Sequence, residues 1–159
     1  MPPRGTIHYA VRQSLIKAGW AITSDPYVIS YGERFLFIDL GAVQRNVGSD
    51  RGNAPSSLLI GADKDGRSIA IEVKDFRGNS PIADLEQAIG QYVLYNLLLK
   101  QVDPARQLYL AIAQSTFEAI FSEPIGELVL TELSLNLIVV DIENLEVKQW
   151  IPSPNNGRS

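Results

Sequence analysis

The run Ile69-Ala70-Ile71-Glu72-Val73-Lys74 constrains this chain more than any other stretch. It reads as an apolar strand that ends in two charges of opposite sign. Residues i and i+2 of a strand share a face, so Glu72 and Lys74 project the same way. Charges at the end of a buried strand are unfavourable unless they are paired or used. A second acid has a similar setting: Phe35-Leu36-Phe37-Ile38-Asp39-Leu40 reads as a sheet-centre strand with one carboxylate inside it. Ser80-Pro81 then starts a helix, a cap residue followed by proline at the first helical position, and that helix should run to about Lys100.

The remaining elements follow from periodicity and turn signals. Thr6 is the expected N-cap of a first helix that ends near Ala18, with Ile7, Ala10, Val11, Leu15 and Ala18 on its apolar stripe and Gly19 as terminator. Trp20 to Thr23 is a short strand closed by Asp25-Pro26. Tyr27–Tyr31 and Arg34–Leu40 flank Gly32-Glu33 as a hairpin, and Leu58–Ala62 and Ser68–Lys74 flank a second turn at Asp63-Lys64-Asp65-Gly66. Gln107–Ala113 is another strand, Ser115 and Glu123-Pro124 open short helices, and Leu137–Asp141 and Glu146–Ile151 close the fold. The expected class is α/β (α+β) with a mixed sheet, as one domain over 1–152. Gln44–Ser57 would be a mobile surface excursion, and 153–159 a frayed tail.

Composition narrows the function classes. The chain has 159 residues, enough for one core, with 45% hydrophobic and 20% charged residues, an ordinary globular balance. Its longest apolar runs are strand-sized, and the N-terminus lacks the apolar stretch of a secretory signal. Cysteine is absent, which excludes disulfides and thiolate metal sites and fits a cytoplasmic location. The net charge of −4 has the wrong sign for coating nucleic acid non-specifically. Residues 1–78 hold ten Lys and Arg against eight Asp and Glu, whereas 79–159 hold four against ten. Any DNA contact should therefore lie on the first half. The Leu-rich second half and Trp150 offer apolar surface, so a homo-oligomer is expected, a symmetric dimer first.

The long helix adds a polar stripe, Asp84, Gln87, Gln91 and Tyr95, at i, i+3, i+7 and i+11. Read alone, it is a solvated face with an amphipathic tyrosine at its edge. His8, the one histidine, suits packing or a phosphate contact better than catalysis. Arg12, one turn later, belongs with it as polar surface or a nucleic-acid backbone contact. Trp20 and Trp150 suit core or interface anchors.

Asp39 followed by Glu72-x-Lys74, inside an αβββαβ order, resembles the PD-(D/E)XK nuclease superfamily, whose core is restriction-endonuclease-like. Gln91-x-x-x-Tyr95 resembles the QxxxY motif of its RecB-like branch. Closer still, the chain is similar to the XisH family, the fdxN element excision controlling factors of cyanobacteria. The similarity rests on His8-Tyr9-Ala10-Val11, Ala18-Gly19-Trp20, Asp25-Pro26-Tyr27, Asp39-Leu40-Gly41, Asp84 to Ala88, Gly90 to Tyr95 and Trp150-Ile151-Pro152. The polar excursion between Asp39 and Glu72 is the one departure.

The resemblance implies a role in DNA element excision and rearrangement with a XisI-type partner, carried out by a separate recombinase. It does not by itself imply cleavage by this chain. If the chain cleaves, Asp39 and Glu72 would hold magnesium or manganese and Lys74 would orient water or stabilise developing charge. Gln91 and Tyr95 would position the phosphate. The alternative is an accessory factor that binds a partner or DNA and keeps Glu72 and Lys74 as a structural ion pair.

Overall fold

The computed structural model describes residues 3–44 and 66–152. The expected excursion at 44–57, the strand at 58–62 and the turn at 63–66 lie largely outside the described residues, as does the tail. Elements run α1 (Pro3–Lys17), β1 (Trp20–Ser24), β2 (Tyr27–Tyr31), β3 (Arg34–Ile38), β4 (Leu40–Gln44) and β5 (Ser68–Val73). Then come α2 (Pro81–Val102), β6 (Gln107–Ala113), α3 (Gln114–Ile120), α4 (Pro124–Glu132), β7 (Leu137–Asp141) and β8 (Glu146–Ile151).

Six strands form one mixed sheet in the order β1-β4-β5-β6-β7-β8, and β2 and β3 pair separately. β4 pairs antiparallel with both β1 and β5, β5, β6 and β7 run parallel, and β8 closes antiparallel to β7. Parallel neighbours need crossovers, and α2 supplies the first, α3 and α4 the second. Among the described helices none is long and apolar enough to cross a membrane.

Strand alternation sorts the core onto two faces. Ile69 and Ile71 join Ile7, Val11 and Leu15 of α1 on one side, while Ala70 joins Leu85, Ala88 and Leu99 of α2 on the other. Glu72 alternates with Ala70 and so faces α2. α2 begins as the sequence indicates, Ser80 Oγ accepting the Ala83 N–H at 3.1 Å with Pro81 in the first turn, but it continues to Val102. α1 differs more. It starts at Pro3 rather than after Thr6, because proline fits a first turn, and Ala18 is exposed rather than on the buried stripe. Gly19, at φ +97°, ends the helix in a conformation that L side chains rarely adopt. Trp150 is an intramolecular anchor: its ring lies 5.5 Å from Trp20 and 5.3 Å, edge-on, from Tyr109.

Arg34–Leu40 does not form one strand. The chain leaves the hairpin after Ile38 and joins the main sheet at Leu40, which pairs with Ile71. Both halves are apolar β-formers, so nothing in their composition marks the break. Gly41 allows it: a Cβ there would stand 2.9 Å from the Tyr27 ring. That ring lies under the Arg106 guanidinium at 4.5 Å, and its hydroxyl donates to Asp103 at 2.9 Å. Arg106 also donates to Asp103 and to the Ile69 carbonyl, which ties the hairpin to β5 and the end of α2.

Candidate active site

The break at Asp39 builds the site. Standing between hairpin and sheet, Asp39 turns its carboxylate toward the end of β5, where Oδ2 accepts the Val73 N–H at 2.8 Å. That N–H lies just past the last β4–β5 pair, Leu40 with Ile71. The side chain thus takes over where the backbone ladder stops, and the bond fixes Asp39 beside Glu72.

Glu72 and Ser14 are the buried polar residues among those described. Ser14 is satisfied by the Ala10 carbonyl at 2.6 Å, whereas Glu72 Oε1 has no hydrogen-bond partner. Burial raises the Glu72 carboxyl from 4.5 to about 8, and the Asp39 charge adds to the rise, while Lys74 opposes it. A buried acceptor with no donor is costly, and folded proteins leave few of them. Here the unsatisfied atom sits at a cleft of about 380 Å³ lined by Asp39, Glu72, Lys74, Gln87 and Gln91, with Ile7 and His8 from α1.

Lys74 follows the end of β5, its N–H bonded to the Ala111 carbonyl at 3.0 Å. Its ammonium donates to Gln87 Oε1 on α2. The polar stripe on α2 therefore divides. Gln87 and Gln91 line the cleft, whereas Asp84 accepts the Gly78 N–H at 3.0 Å and holds the loop before the helix. Tyr95 packs half-buried against the α2-side core. Burial raises its hydroxyl pKa first, and then the charges of Glu72 and Asp39 do, so it lies within their field without lining the cleft. Of the five residues singled out from the sequence, Asp39, Glu72, Lys74 and Gln91 share the cleft and Tyr95 flanks it.

Two further residues belong here. Gln87, read from the sequence only as part of a stripe, is the partner of Lys74. His8 forms a wall of the cleft, and its Nε2 lies 2.9 Å from Asp25 Oδ1. Arg12 donates to Asp25 Oδ2 at 2.8 Å, so one carboxylate gathers His8 and Arg12 of α1. The i, i+4 spacing of Gln87 and Gln91 was a usable signal for the first. The approach of α1 to β5 is long-range and left no local signal for the second.

A hard cation suits this donor set. No cluster of three or more His, Cys, Asp or Glu occurs among the described residues. Two carboxylates, one with an unsatisfied buried oxygen, match an ion that completes its shell with water and substrate oxygens, as magnesium does.

The family model described as XisH protein matches residues 1–148. This chain belongs to the XisH family. The solved structures agree. A crystal structure of an fdxN element excision controlling factor protein from Anabaena variabilis is similar to this XisH-family chain with a TM-score of 0.75 and 31% identity, covering 93% of this chain and 99% of that one. An XisH family protein from Nostoc punctiforme is similar with a TM-score of 0.73 and 29% identity, over 91% and 98% of the two chains. No curated protein matches the chain.

Proposed function

We propose that this XisH-family chain acts in DNA element excision as a divalent-metal-dependent, endonuclease-like factor that works with a XisI-type partner. The observation that carries the reading is the buried, unpartnered Oε1 of Glu72 beside Asp39 at an open cleft. The sequence of α1, β1, β4, β5, α2 and β6 in the sheet core supports the PD-(D/E)XK resemblance.

In this reading Asp39 and Glu72 hold the cation, magnesium or manganese. When bound, the cation lowers the pKa of a water and neutralises charge on the scissile phosphate. Lys74 supplies a compact positive charge whose direction Gln87 sets. Gln91, which lines the cleft, would donate its amide to a phosphate oxygen. Tyr95 holds the α2 side of the site in place through its packing.

A second reading has a specific observation behind it. Asp39 already accepts the Val73 N–H and Lys74 already donates to Gln87, so both groups have structural work without substrate. Under that reading the chain is a non-catalytic factor that holds DNA or its partner.

The deciding experiment incubates the purified chain, alone and with a XisI-type partner, with supercoiled, linear and branched DNA in magnesium or manganese. Cleavage that chelator abolishes and that Glu72→Gln removes is the expected result. Metal binding without cleavage of any form, with or without partner, overturns the nuclease reading in favour of the second.

A further inference from the structure

α2 is apolar on two sides, and its own sheet uses one. Leu85, Ala88, Tyr92 and Leu99 are buried, while Val93, Leu94 and Leu97 are 40%, 46% and 58% exposed on the far side. At 3.6 residues per turn, Glu86, Gly90, Val93, Leu97 and Lys100 fall in one narrow stripe opposite the buried one. We propose that this stripe is the interface of a two-fold dimer in which α2 packs antiparallel against α2 of a second copy.

The order of residues along the stripe names the occupant. Glu86 and Lys100 stand seven residues on either side of Val93. With a two-fold axis at Val93 and antiparallel helices, Glu86 of each copy meets Lys100 of the other. Parallel helices would set like charges together, which disfavours that arrangement. Neither residue makes an ion pair among the described residues.

Gly90 and Leu97 are related by nearly the same axis. Glycine is the least favourable residue after proline inside a helix, and nothing among the described residues accounts for it at 90. Among the described residues no heavy atom outside its own helix turn lies within 4 Å of where a Cβ would stand, and Gly90 is not among the glycines with positive φ. In the dimer, Leu97 of the second copy seats over Gly90, as a side-chain ridge fills a groove where helices pack closely. Isologous contact of this kind makes each feature do both halves of the work.

The full-length chain tests this directly. Light scattering at micromolar concentration should give twice the 17.5 kDa of one copy. Leu97→Glu should reduce the mass to one copy with an unchanged circular dichroism spectrum. Glu86→Lys and Lys100→Glu should each weaken association by about tenfold or more, and the two together should restore it. Because the chain has no cysteine, Val93→Cys gives one thiol per copy and should cross-link to itself on oxidation, whereas Glu132→Cys on α4 should not. A monomeric wild type, a dimer indifferent to Leu97→Glu, a charge swap that fails to restore association, or an uncross-linked Val93→Cys overturns the proposal.

Discussion

Asp39 and Glu72 reach one another from different pairing systems: Asp39 follows a strand of the isolated hairpin, and Glu72 lies in the centre of the main sheet. The 2.8 Å bond from the Val73 N–H to Asp39 Oδ2 locks the first beside the second. After burial, the charge of Asp39 is the largest influence raising Glu72. The fold thus holds two carboxyl groups side by side, where ionising the second is unfavourable without a cation.

The first prediction follows from that opposition. The folded carboxyl of Glu72 titrates near 8 rather than 4.5, so the folded state holds its proton more tightly than the unfolded chain. The resulting stabilisation is complete below about pH 4.5 and is lost as pH rises through about 8, at up to roughly 1.4 kcal/mol per pH unit. If magnesium binds at Asp39 and Glu72 it competes with that proton, so its stabilising effect should be small at pH 6 and grow toward pH 9. Thermal melts across this range, with and without magnesium, check both slopes. Glu72→Gln should flatten the metal-free profile.

Gly41 supplies a second prediction. A methyl group there meets the Tyr27 ring at 2.9 Å, and that ring is held by Arg106 and Asp103. Gly41→Ala should lower stability by about 1–3 kcal/mol, typical of overpacking where neighbours cannot yield. Urea denaturation measures it. Because Gly41 is two residues from Asp39, any stabilisation by magnesium should weaken in the same variant.

Trp150 gives a third. Its tilted contact with Trp20 and edge contact with Tyr109 make it part of the α1-side core. Trp150→Ala should therefore cost about 3 kcal/mol, near the lower end for aromatic truncation because the ring is only partly buried. Equal melting-temperature losses at low and high protein concentration would show that the anchor is intramolecular.

Much of this architecture was legible because local and tertiary preferences agree in it. Ser80-Pro81 caps α2 as its residue types require, and the parity of Ala70, Glu72 and Lys74 correctly aims the charges at the α2 face. What stayed hidden depends on contacts distant in sequence. The split at Asp39 is invisible in Phe35–Leu40, whose composition is that of an uninterrupted strand; it arises where Gly41 meets Tyr27. His8 enters the cleft because α1 packs on β5, which no periodicity within α1 can express. Trp150 read equally well as interface or core until Trp20 and Tyr109 were placed around it.

The last prediction separates catalysis from structural pairing. If Asp39 and Glu72 hold a cation, Glu72→Gln keeps the side chain's shape but removes a charge the cation needs. Metal affinity and any cleavage should then fall together. The metal-free fold should be no less stable above pH 8, since a repulsion with Asp39 has gone. Lys74→Ala should leave metal binding intact, yet reduce turnover about a hundredfold or more, the usual consequence of losing one preorganised stabiliser of transition-state charge. Tyr95→Phe should be milder, because it deletes a hydroxyl outside the cleft and keeps the packing. A purely structural cluster predicts another order: Glu72→Gln and Lys74→Ala would both lower the melting temperature, and neither would change the response to magnesium. Melting curves of wild type and the three variants, recorded with and without magnesium, distinguish the two patterns. A wild type indifferent to magnesium, together with large losses in both charge variants, would assign the cluster to structure alone.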